Sequence, residues 1–157
     1  MKIVVLGLGN LVHRDDGAGV RAVQALQHDE RVPAGVLLLD GGTQGLALLS
    51  HISRVPRLIV LDAIDAAQPE GTLMRFEGDA LAGLPGKASV HQLGFADLMV
   101  ALHLLDQSPG EIVIFGIQPG STDWGTEFSP AVHSAIPPLV DCAIAQLEAW
   151  AAPSAIA

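Results

Sequence analysis

The chain has no tyrosine and a single cysteine, and aromatic residues make up only 4% of its 157 positions. With one cysteine, Cys142, an internal disulfide and a cysteine-built metal cluster are both excluded. Basic residues are scarce too. Eight Lys and Arg stand against 17 Asp and Glu, a formal net charge of -9. Phosphate backbones require a basic face, so no nucleic-acid partner is expected. The surplus of carboxylates serves solubility or meets a basic partner surface. The opening apolar run is about six residues, and no stretch is long enough for a bilayer. No membrane association and no leader are therefore expected, the cytoplasm is the expected location, and a monomer is the expected state.

What is present in quantity is aliphatic. Hydrophobic residues make up 50% of the chain and the mean hydropathy is +0.43, with Ala, Leu, Val and Ile predominant. Such a chain is too apolar for disorder and long enough for one domain, 1–157, with a proper core. An aliphatic-rich composition without tyrosine suits a buried sheet flanked by helices.

The first sixteen residues organise the rest. Lys2 to Gly7 is a β-branched, aliphatic run followed by Leu8, Gly9 and Asn10, then by Asp15, Asp16 and Gly17. This reads as a buried strand entering a tight loop, with a helix over 17–27 carrying Val20, Val23 and Leu26 on one face. Either Asp15 or Asp16 is placed to accept bonds from the free amides of that helix's first turn. A second strand over 36–39 closes in Asp40, Gly41 and Gly42, and a short helix follows over 45–52. Residues 57–62 form a third strand with Asp62 at its carboxyl end. A short edge strand is expected over 72–76 and an irregular segment over 78–85. A helix opened by His91 comes next, and then a strand over 111–117. Ser129 and Pro130 read as a cap and first-turn proline of the last helix, where Pro137 and Pro138 should bend it or mark its true start. Cys142 falls on the apolar face of that helix, as a small core residue rather than a nucleophile. Trp124 lies in a loop and is either an exposed partner contact or an anchor for that loop.

Alternating strands and helices imply a three-layer α/β/α fold with a mainly parallel sheet of about five strands. Right-handed crossovers favour the order 2-1-3 for the first three strands, with later strands beyond the third. The switch-point crevice then lies between strands one and three, outside their carboxyl ends. Asp16 follows the first and Asp62 ends the third, so both carboxylates face one crevice. His91 opens a helix that begins on the same rim. Two carboxylates and an imidazole with open positions form a plausible hard-to-borderline metal site. Each Asp taken singly also has a structural reading, as a cap or turn residue. Gly7 and Gly9 resemble part of a dinucleotide loop, but a third glycine at the required spacing is lacking, and Asp15 and Asp16 stand where phosphate would sit. A nucleophile elbow and a His-Glu-x-x-His helix are both missing, which leaves a metal-assisted or carboxylate route for any hydrolase chemistry.

The ordered set Gly7, Gly9, Asn10, then Asp15 to Arg21, Asp40 to Thr43, Leu61 to Ala63, His91 to Gly94 with Ala96 and Asp97, and Gly116 to Pro119 resembles the hydrogenase maturation endopeptidases. The likeness covers nearly the whole chain. It implies an aspartyl-type hydrolase that removes a C-terminal extension from the large-subunit precursor of a nickel-iron hydrogenase once nickel is inserted. By position it also implies Asp16, Asp62 and His91 as metal ligands. Asp16 stands where some members carry Glu, a side chain one methylene longer. The nickel is expected to come with the substrate, because three protein ligands hold metal weakly until the precursor's cysteines complete the sphere. Asp40, Gly41 and Gly42 are expected to help hold the substrate tail, and a tight strand-to-helix turn is the competing reading. The resemblance does not specify the attacking group. A non-catalytic module that senses nickel with the same three residues is the alternative from another class, and a nucleotide- or flavin-binding domain is a third.

Overall fold

The structure is a computed structural model that describes residues 2–42, 44–84 and 95–153. Five strands form one sheet: β1 (Ile3–Leu8), β2 (Leu37–Gly42), β3 (Arg57–Ala63), β4 (Leu73–Glu77) and β5 (Glu111–Ile117). Their order is β2-β1-β3-β5-β4. The pairs β1/β2, β1/β3 and β3/β5 are parallel, and β4 runs antiparallel to β5 at the far edge. This is the expected three-layer, mainly parallel architecture, with β4 supplying the antiparallel edge.

The central strands β1, β3 and β5 are buried on both faces, so their sequences are continuous apolar runs rather than alternating ones. Val5, Ile59, Leu61, Val113 and Phe115 pack beneath α1 (Ala18–Leu26) and α4 (Pro130–Ala151). The alternate residues Val4, Leu6, Leu58, Val60 and Ile114 pack on the opposite layer. That layer is supplied by α2 (Leu49–Ile52) and α3 (Phe95–Leu104). Period-two alternation thus divides one sheet between two cores.

Several local details differ from the sequence reading. The expected turn at Asp40, Gly41 and Gly42 is the end of β2, which stays paired with β1 through a register shift near Leu8 and Gly42. The carbonyl of Gly42 accepts the Gly9 amide at 3.1 Å, and Gly42 itself has φ +44. The pairing therefore continues until a left-handed residue ends it. The helix over 17–27 is divided into a 3-10 turn, Arg14–Gly17, and α1. The helix over 45–52 is likewise a 3-10 turn, Gly45–Leu48, followed by α2. Most of the segment expected to be irregular is a 3-10 stretch, Gly78–Gly83. α4 begins at Pro130, so Pro137 and Pro138 lie inside it and do not mark its start.

The close approach of α1 to the sheet depends on Gly19. A Cβ there would overlap the carbonyl oxygens of Leu61 and Leu8, and those strand ends are backbone that cannot step aside. Packing an extra carbon into such a site costs about 1–3 kcal/mol. Gly19→Ala should lower the urea midpoint accordingly without changing the slope of the transition. An unchanged midpoint would mean that the helix can lift from the sheet freely.

Candidate functional site

β1 and β3 run in register, with Gly7 beside Leu61, so both strands reach the carboxyl-end rim at the same height. Asp62 follows Leu61 within β3 and is 3% exposed. By alternation it shares the sheet face of Leu58 and Val60, the α2/α3 side. Asp16 sits in the 3-10 turn just past β1, is 6% exposed, and accepts the Asn10 amide on Oδ2 at 2.9 Å. Gly9, with φ +124, allows this fit: a Cβ there would overlap the Asp16 carbonyl oxygen. The rim thus carries two buried carboxylates, one just past β1 and one near the end of the adjacent parallel strand β3, as the topology argument requires. Three metal-competent side chains are not grouped together among the described residues. His91 lies outside those residues, four positions before Phe95, the first residue of α3.

Asp15, adjacent to Asp16, has a different task from the one expected. The cap position of α1 is Gly17, not a carboxylate. Asp15 is fully buried and turned toward the connection between β5 and α4. Its Oδ2 accepts the amides of Gly120 and Ser121 at 2.8 and 2.9 Å and the Ser129 hydroxyl at 2.7 Å. Its Oδ1 accepts the Ser129 amide at 2.7 Å. Burial pushes the carboxyl up, but the Ser129 hydroxyl and the amides of Ser121, Ser129 and Gly120 outweigh it and hold Asp15 below the ordinary value. Ser129 holds the N-cap position of α4, yet its side chain makes no cap bond, because the hydroxyl is committed to Asp15.

Backbone bonds extend the same seam. Asp15 N donates to Ser121 O at 3.0 Å, Arg14 N to Gly125 O at 2.9 Å, and Gly125 N to Val12 O at 2.9 Å. Arg14 adopts φ 46 at the joint and its Nε donates to the Glu127 carbonyl at 3.0 Å. On the other side of the crevice, buried Gln118 fixes the loop that follows Asp62. Its Oε1 accepts the amides of Ala66 and Gln68, and its Nε2 donates to Asp65. One connection, 118–129, therefore secures both the loop bearing Asp16 and the loop after Asp62. Sequence reasoning did not find this role for Asp15, Gln118 and Ser129. The available signal was polar residues directly flanking strand ends and Pro positions.

Asp40 is exposed on the edge strand, while Gly41 is buried beneath Leu6, Leu8 and the Gly7 carbonyl. Cys142 is half-buried in the middle of α4 against the core, and its thiol is pushed up by burial and then by Asp141. The thiol is thus disfavoured as a nucleophile. The described helices include none that is long and apolar enough to cross a membrane.

A doubly covered, mainly parallel sheet with Asp16 and Asp62 buried near the carboxyl ends of adjacent strands is an α/β fold that presents carboxylates at its switch point. The hydrogenase maturation protease family model matches residues 20–146. The hydrogenase expression/formation protein HupD of Bradyrhizobium diazoefficiens is 41% identical over 152 residues, covering 95% of this chain and 79% of that protein. The hydrogenase 2 maturation protease of Escherichia coli K12 is 36% identical over 149 residues, covering 94% and 91%. The structure of the E. coli hydrogenase maturating endopeptidase HybD superposes with a TM-score of 0.86 at 35% identity, covering 95% and 93%. A [NiFe] hydrogenase maturation protease from Thermococcus kodakarensis gives 0.73 at 26% identity, covering 94% and 99%. The chain belongs to the hydrogenase maturation protease family and is a hydrolase. This membership favours a peptidase over the non-catalytic module and over a nucleotide- or flavin-binding domain.

The Asp15 seam makes a sharp prediction. Asp15→Ala strands several buried donors and should cost about 3 kcal/mol of stability. Because the folded carboxyl lies below its ordinary value of 3.8, its stabilisation is present above that pH and is gone once the pH has fallen through the lower folded value. Asp15→Asn, which does not titrate, should be less stable at pH 7 and lose less stability between pH 5 and pH 3, values spanning roughly the carboxylate range. Parallel urea-unfolding curves for wild type and Asp15→Asn across that interval would refute the assignment.

Proposed function

We propose that this chain hydrolyses one peptide bond near the C-terminus of a nickel-iron hydrogenase large-subunit precursor after nickel insertion, and that Asp16, Asp62 and His91 read the nickel carried by that precursor. The observation that carries the reading is the two buried carboxylates at the carboxyl-end rim of adjacent strands, Asp16 just past β1 and Asp62 near the end of β3. Carboxylate oxygens and an imidazole together suit a divalent ion arriving with the substrate. His91 precedes α3, whose first residue Phe95 packs in the same core layer as the Asp62 face of the sheet.

Hydrolysis adds water across the amide, leaving a carboxylate on the mature subunit and an amine on the released peptide. Nickel held by the precursor supplies Lewis acidity near the bond, and rim carboxylates are the groups able to take the proton from water. Neither Cys142, half-buried against the core with a raised thiol, nor Ser129, bonded to Asp15, supports a covalent route. Asp40, exposed at the end of β2 beside Gly41 and Gly42, helps hold the substrate tail. Gly41 also has a packing task, since a Cβ there would press on Leu6 at 2.7 Å and the Gly7 carbonyl at 2.9 Å. The exposed Asp40 is therefore the cleaner test of substrate contact. The protein works on this reading as a cytoplasmic monomer, with no membrane or nucleic acid involved.

The test is incubation with nickel-loaded and nickel-free precursor, read by intact mass. Wild type should release a C-terminal peptide from the loaded form only. Asp16→Ala, Asp62→Ala and His91→Ala should each lose at least about a hundredfold in rate, and Asp40→Ala should raise KM. Full processing by Asp62→Ala or His91→Ala would remove those residues from the role. Cleavage of both precursor forms would remove the nickel checkpoint.

A further inference from the structure

Seven large hydrophobic residues are exposed among those described, and they fall in different parts of the fold. Val100, Leu104 and Leu105 lie on and just after α3, whose carboxyl end leads toward the start of β5 and so away from the carboxylate rim. Val12 and Trp124, by contrast, lie on the two loops that the Asp15 seam joins. Trp124 is 78% exposed and is not the loop anchor that its position also allowed. Its ring stacks on His13 with centroids 4.3 Å apart and planes 36° from parallel. The His13 ring is tied in turn to the Thr122 carbonyl by a 3.2 Å contact from Nδ1.

A tryptophan held at a surface by a partner ring, with most of its area in water, is the kind of amphipathic ring enriched at interfaces. The platform is also rigid by construction. His13 and Gly125 form a β-bridge, Val12 and Gly125 share a backbone bond, and Asp15 binds Gly120 and Ser121 from beneath. A surface already ordered loses little freedom on association, which is the condition under which one aromatic side chain dominates binding. It is continuous with the candidate site, since His13 and Asp16 belong to one loop and the Asp16 amide donates to the His13 carbonyl at 3.1 Å.

We propose that the Trp124–His13–Val12 platform is the docking surface for the folded body of the hydrogenase large-subunit precursor. It engages an apolar patch on that body beside the nickel, separately from the scissile tail. This rests on the proposed function and adds to it a second contact. Metal and tail are read in the crevice, and the precursor's own fold is read by an aromatic platform set at a fixed offset from Asp16. The platform lets the protease distinguish a folded, nickel-bearing subunit from free nickel or from an unfolded chain that carries the same tail.

The experiment measures precursor affinity and steady-state cleavage for wild type, Trp124→Ala, Trp124→Phe and Leu104→Ala. Leu104 is equally exposed, at 79%, but lies off the rim. Trp124→Ala should weaken binding of the nickel-loaded precursor about tenfold or more. The loss should appear in KM with little change in kcat, and thermal midpoint and binding of nickel ion alone should be as in wild type. Trp124→Phe should recover part of the affinity, and Leu104→Ala should match wild type. Wild-type KM in the folded Trp124→Ala protein would overturn the platform, as would equal losses in Trp124→Ala and Leu104→Ala. A wild-type protein that binds the precursor but never cleaves it would instead overturn the proposed reaction. Binding that still depends on Trp124 in that case would leave the platform standing.

Discussion

The carboxylate of Asp15 is the interaction on which the working end of this molecule depends. It is fully buried, and its two oxygens gather an amide from each of Gly120, Ser121 and Ser129 and the Ser129 hydroxyl. Loops normally run over the surface because their polar backbone has few partners inside. Here one ionised group supplies those partners to a loop more than a hundred residues away in sequence. The neighbouring residue, Asp16, is held on the same loop and adds its own bonds to Asn10 and His13. Of two adjacent carboxylates, it is Asp15 that ties the first loop to the connection 118–129.

The glycines belong to the same economy of space. Gly9 lets the Asp16 carbonyl come close to the end of β1, and Gly19 lets α1 rest on the ends of β1 and β3. Together they lower the first loop onto the rim, close enough for Asp15 to reach the β5–α4 connection. What resembles a nucleotide loop in sequence is thus a device for drawing an acidic turn inward. The resulting acidic environment is hostile to phosphate, because like charges repel.

Much of this was legible in the sequence. The order of β2, β1 and β3, the position of β5, and the placement of Asp16 and Asp62 at one rim follow from apolar runs ending in carboxylates, because parallel strands buried on both faces leave a strong pattern. The end of β2 did not follow. Gly41 and Gly42 have turn composition, and pairing with β1 carries the strand through Gly41 to the left-handed Gly42. Asp15 was legible as a helix cap and Ser129 as another, since local rules pair such oxygens with nearby amides. In fact they bond each other across 114 positions, a partnership without periodicity or spacing to announce it. Gln118 is similar, a polar residue after a strand, three of whose side-chain bonds go to a loop some fifty positions earlier.

That span also sets when the site can come into being. A ribosome delivers the chain from its amino end, and β1, the acidic turn and β3 emerge long before Ser129 does. Until the segment from 118 to 129 has left the ribosome, Asp15 has none of its four donors, and the loop carrying Asp16 lacks the seam that orders it. Long-range contacts of this kind are made late. A nascent or truncated copy that lacks this segment therefore has no Asp15 seam, and the loop that carries Asp16 is tied down only after Ser129 has been made.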